Sequence, residues 1–197
     1  MSRYIGEVTR EKLKAHLSIG EKCEKVFLAD YGKKLVSLPT VKLIDVRSRR
    51  EIGNFYLRSA GKDIVKMDVK CIYTQFRKAR KLVGLDPRNC FPIAIYKIVQ
   101  GHRRELKEKI PYLLVCKPAW KTEWRFMTYA HAIKILQEKI ENRFQYHRGS
   151  QENMHYDFEK EMVSFNEFVV LLQKQAKVGM VSKNDVIDIL KLLKIEC

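Results

Sequence analysis

The 197-residue chain has no run approaching the roughly 18 consecutive apolar residues of a membrane-spanning helix. Residues 1–17 carry charges where a signal peptide needs its apolar stretch. The myristoylation glycine is missing, and Cys197 stands last rather than fourth from last, where prenylation requires a cysteine. A secreted, membrane-spanning or lipid-anchored protein is therefore not expected, and an intracellular one is. No C-x-x-C occurs among Cys23, Cys71, Cys90, Cys116 and Cys197, and their number is odd. That pattern predicts a reducing compartment, with most thiols buried as small apolar groups. His16, His102, His131, His147 and His155 form no H-x-x-x-H or Cys–His pattern, so no structural zinc site is expected. Internal repeats and low-complexity tracts are absent.

Acid is also scarce. Asp and Glu number 23 against 39 Lys and Arg, a net charge of +16. The excess is uneven: residues 151–197 hold six Lys and eight acids, while residues 1–150 hold 33 basic and 15 acidic groups. A field of that sign concentrates polyanions, so nucleic acid is the expected partner. An anionic membrane would require a basic amphipathic helix or a lipid anchor, and no membrane partner is expected. With 46% apolar and 31% charged residues the chain is not wholly disordered. At this length about 70% of the unfolded surface can be buried, so folding needs no metal or disulfide staple. The polar stretch 147–153 marks a boundary. Residues 1–148 are expected to form a basic, nucleic-acid-binding domain of mixed α/β (α+β) class. Residues 149–197 are expected to form a helical C-terminal subdomain, for interaction or core closure.

Capping signals at Thr9 and at Ser18-Ile19-Gly20-Glu21 predict two helices, about 10–17 and 19–31. Residues 34–38 and 41–46 read as short strands, and Ser48-Arg49-Arg50-Glu51 opens a helix that ends by Gly61. From Ile64 to Cys71 the chain alternates. Val65, Met67, Val69 and Cys71 share one face, and Ile64, Lys66, Asp68 and Lys70 the other, which is the period of a strand. Residues 73–83 read as helix, 91–99 as strand, 100–109 as a charged connector and 110–116 as a buried strand. Helices follow from Thr128, after Ser164 and after Ser182, the last two as a helical hairpin. The expected architecture is a small mixed central sheet flanked by helices, with that hairpin at the end.

Phosphodiester hydrolysis uses a metal that activates water and neutralises phosphate charge. Mg²⁺ takes one or two carboxylates and keeps waters. Asp68-Val69-Lys70 provides a carboxylate and an ammonium on one strand face, and Asp45 ends the preceding strand. These residues, with the strand–helix–strand order, resemble the core of the PD-(D/E)XK nuclease superfamily over residues 18–100. The resemblance implies a Mg²⁺-dependent DNA endonuclease with Asp45, Asp68 and Lys70 catalytic and Asp45 and Asp68 on the metal. It also implies an acid from the first helix, Glu21 or Glu24, and a role for Gln75.

Basic clusters extend the candidate surface. Arg47, Arg49 and Arg50 precede one helix, Arg77, Lys78, Arg80 and Lys81 run along another, and Arg103 and Arg104 lie on a connector. Such groups grip phosphates without reading bases. Trp120 and Trp124, at i and i+4, are candidates for stacking on unpaired bases. A phage or viral origin fits this composition. The rival reading is a non-catalytic DNA- or RNA-binding regulator or packaging protein, dimerising through residues 151–197.

Overall fold

A computed structural model describes residues 10–46, 54–146 and 152–196. The first helix is continuous, α1 (Arg10–Phe27), where two had been expected. A π-helical turn, Leu28–Gly32, leads into α2 (Lys33–Val36), which replaces the strand expected over residues 34–38. The reason is spacing. Phe27, Tyr31, Leu35 and Leu38 recur at helical intervals and all sink into one core.

Strands β1 (Val41–Asp45), β2 (Phe55–Ser59) and β3 (Lys62–Ile72) form an antiparallel meander. β2 lies where a helix had been expected. Ala60 and Gly61 both take positive φ, the two-residue hairpin loop that matches strand twist. A bulge near Arg58 shifts the register, which turns Ile64 toward the same core as Val65. The chain then passes through α3 (Ala79–Val83), β4 (Cys90–Ala94) and α4 (Ile95–Glu108) before β5 (Tyr112–Pro118). β5 pairs parallel to β3, which is why so long a crossover is needed. Residues 95–99, expected as strand, belong to α4. Ile98, Gly101 and Glu105 are buried at helical spacing, and the apolar run alone did not reveal it.

β6 (Arg125–Thr128), α5 (Tyr129–Arg143), β7 (Phe144–Tyr146), β8 (Glu152–Asp157), β9 (Val163–Ser164), α6 (Phe165–Val178) and α7 (Lys183–Leu192) complete the chain. The large sheet runs β1-β2-β3-β5-β6-β9, and β4-β8-β7 makes a second. One face of the large sheet is covered by α1, α2, α6 and α7, around Phe27, Phe55, Met67, Val115 and Phe168. On the other face α4, α5 and the small sheet bury Tyr112, Leu114, Met127, Tyr129 and Tyr156. Residues 152–196 are thus woven into both cores. The capping box at Ser182 and Asp185 starts α7 as the sequence predicts. Among the described residues no helix is long and apolar enough to cross a membrane.

Cys90 and Cys116 are buried thiols, but Cys23 and Cys71 form a disulfide. Two cysteines 48 residues apart give no sequence sign of pairing until α1 is laid on β3. The expectation of mostly unpaired cysteines is corrected for this pair. Cys197 lies outside the described residues.

Glu105 ties three elements on the second face. Its carboxylate accepts from the Tyr112 N–H of β5 at 3.0 Å and from the Ala130 N–H of α5 at 2.7 Å, and His102 Nδ1 lies 3.6 Å away. Burial pushes its pKa up to about 7, against the pull of the two N–H groups. The folded state therefore holds this proton more tightly than the unfolded chain. That contribution to stability is complete below the ordinary carboxyl pKa and is lost as pH rises through about 7. Melting temperature should fall across that interval, and Glu105→Gln should flatten the fall while lowering stability throughout. An equal slope in both proteins would dismiss Glu105 as the cause.

Candidate active site

Alternation along β3 puts Lys66, Asp68 and Lys70 on the second face, and their register partners on β5 are Tyr112, Leu114 and Cys116. Asp68 is 8% exposed. Its Oδ1 lies 2.9 Å from Lys70 Nζ, and its Oδ2 accepts from the Tyr129 hydroxyl at 2.9 Å. Burial opposes the charge on Lys70, but Asp68, with Glu24 further off, outweighs it and raises the pKa above the usual lysine value. Lys70 is therefore a cation at neutral pH. The Tyr129 phenol is held neutral, its pKa raised first by burial and then by Asp68. Lys97, on α4, is a second amine here. Burial and the Lys70 charge lower its pKa, and Asp68 partly restores it.

Lys66 is engaged elsewhere. It pairs with Glu108 at 2.5 Å and stands 4.4 Å from the Tyr56 ring centroid.

Asp45 does not join this group. It is in register with Phe55, and Phe55 with Met67, so Asp45 lies two strands from β3 on the opposite face from Asp68. The residue beside Asp68 is Asn54, just before β2. Its Oδ1 accepts from the Val69 N–H at 2.6 Å and its Nδ2 donates to Glu24 Oε1 at 2.7 Å. A backbone donor on one side and a carboxylate on the other fix that amide orientation. Of the two acids expected on the first helix, Glu24 is the one that reaches the site. The disulfide holds it there: Cys23 precedes Glu24, and Cys71 follows Lys70.

Among the described residues no group of three or more His, Cys, Asp and Glu gathers that could hold a metal. A cage of protein ligands is therefore not what these residues offer. One or two carboxylates with waters suffice for Mg²⁺; Asp68 offers one, and Glu24, bound to Asn54 and acting on Lys70, is the other acid that approaches.

Of the basic clusters, Arg77, Lys78, Arg80 and Lys81 are exposed on and before α3, and Arg103 and Arg104 are exposed on α4. Arg47, Arg49 and Arg50 lie outside the described residues. Trp120 and Trp124 fall on the β5–β6 connection, not on a helix face. Trp124 is 1% exposed, donates to Asp30 at 2.7 Å and packs edge-on to Phe27, so it is a core residue and not a stacking platform. Trp120 is half-buried and donates to the Arg88 carbonyl at 2.8 Å. Gln75 precedes α3, half-buried, on the loop that leaves β3.

Asn54, Lys97 and Tyr129 were not anticipated. Folding the β3 alternation back across Gly61 would have brought Asn54 near Asp68. Nothing local marks Lys97, which arrives on the crossover helix α4, or Tyr129, which arrives at the start of α5 beyond it.

No family model and no curated protein matches the chain. Solved structures similar to it include the following two. One is the Holliday junction resolvase Hjc of Archaeoglobus fulgidus, at 11% identity and a TM-score of 0.45, covering 77% of this chain and 95% of that one. The other is a nuclease from a fusselovirus, at 9% identity and a TM-score of 0.47, covering 86% and 96%.

Proposed function

We propose that the protein is a metal-dependent DNA endonuclease acting at Asp68 and Lys70. The observation that carries this reading is the Asp68–Lys70 pair, 2.9 Å apart on a strand face of a strongly basic chain. A divalent cation on Asp68 and Glu24 would supply charge neutralisation and an activated water. Lys70, already protonated, acts as a donor to a phosphate oxygen or to water and not as a base. Lys97 adds positive potential beside it. Tyr129 is a positioning residue that fixes the Asp68 carboxylate from the buried side.

Cleavage of duplex DNA with Mg²⁺ or Mn²⁺ is the test. Asp68→Ala and Lys70→Ala should each lower the rate by about 10²-fold or more, the usual loss for a group that stabilises transition-state charge. Undiminished cleavage in both variants would remove the site. Asn54→Asp places a third carboxylate beside Asp68 and Glu24. It should melt lower than wild type in chelator, gain more from Mg²⁺, and cleave faster.

Asn54 also favours a second reading, a non-catalytic DNA-binding regulator or packaging protein, because an amide stands where a second strand carboxylate would serve a metal. DNA binding without cleavage in either metal would select it.

A further inference from the structure

We infer that the pocket between the β3 exit loop and the turn after α3 is a phosphate subsite that grips the DNA backbone beside Asp68 and Lys70. This rests on DNA as the substrate, not on its cleavage. The pocket is open, about 520 Å³, and lined by Gln75, Arg77, Arg80, Asp86, Pro87 and Arg88. Three guanidinium groups face one carboxylate. Asp86 pairs with Arg80 at 3.0 Å, and among the described residues no salt bridge engages Arg77 or Arg88. The lining thus keeps an excess of two positive charges, the sign that attracts a polyanion. Guanidinium forks suit phosphate oxygens.

The mount is rigid. Asp86 Oδ1 accepts from the Arg88 N–H at 2.8 Å, and the Arg88 carbonyl accepts from Trp120. The Asn89 N–H closes the turn on the Asp86 carbonyl at 2.9 Å, and the Asn89 carbonyl accepts from the Phe158 N–H at 2.7 Å. A backbone pinned by four hydrogen bonds confines the ordering cost of binding to the side chains. Gln75 follows Lys70 by five residues, which the backbone can span with at most about 18 Å. On a duplex strand that is at most about five nucleotides.

The experiment measures anisotropy of a fluorescent DNA duplex in chelator, between about 50 and 200 mM salt. Arg77→Gln with Arg88→Gln removes the two cations that no salt bridge engages and leaves the Arg80–Asp86 pair intact. Both side chains are exposed, and unchanged circular dichroism and melting verify the fold. The double variant should reduce the slope of log affinity against log salt by about two and weaken binding tenfold or more. Lys174→Gln with Lys177→Gln, on α6 across the sheet, should match wild type. Wild-type affinity and slope in the arginine variant would overturn the subsite. So would a variant that keeps DNA binding but loses a melting shift given by inorganic phosphate, which would assign the pocket to a small phosphorylated molecule. Because no metal is present, loss of the nuclease reading would leave this result standing.

Discussion

Reduction of the Cys23–Cys71 disulfide is expected to lower the melting temperature by roughly 8–16 °C. The two cysteines are 48 residues apart, and closing a loop of that length in the unfolded chain is worth about 4 kcal/mol in the chain-entropy account. For a protein of this size each kcal/mol moves the midpoint by about 2–4 °C. Both ends lie in the first core beside Phe27 and Val69, so reduced protein should still fold, with α1 less firmly held on β3. Glu24 is carried by that helix one residue from Cys23, and Lys70 stands one residue before Cys71. Reduction should therefore slow any cleavage as well as lower stability. Melts with and without reductant check the first effect, and Cys71→Ser should melt low and ignore reductant. Identical midpoints for oxidised and reduced wild type would contradict the expectation.

Gly101→Ala is expected to destabilise by several kcal/mol, although alanine ordinarily favours a helix over glycine by about 1 kcal/mol. A Cβ at Gly101 would meet three atoms of the Tyr129 ring at 2.4–2.6 Å. Tyr129 is 1% exposed and cannot retreat. Overpacking of this kind costs about 1–3 kcal/mol and occasionally more. Displacing the ring also breaks its hydrogen bond to the Asp68 carboxylate, worth about 1.5–3 kcal/mol for a charged acceptor. The decisive comparison is in a Tyr129→Ala background, where the same glycine change should be neutral or slightly stabilising. Equal cost in both backgrounds would show that the ring is not what glycine accommodates. Denaturant titration of the four proteins measures the cycle.

What could be read along the chain were properties carried by neighbours in sequence. The two-residue period of β3, the Ser164 and Ser182 starts of the last helices and the Asp68–Lys70 pairing all depend on spacings of a few residues, and the charge asymmetry needs composition alone. Side-chain parity on one strand is local, so Lys66, Asp68 and Lys70 could be placed on one face. Which strand adjoins that face, and in which register, is not local, because a shift of one residue exchanges every inward side chain for an outward one. That is why Asp45 went to the other face and Asn54 came to Asp68. The same holds for the Cys23–Cys71 bond, the glycine under Tyr129, the approach of Lys97 and the arginine pocket. Each joins segments that only packing brings together, and the free energy that selects their meeting is burial of the two cores rather than any preference of the residues themselves.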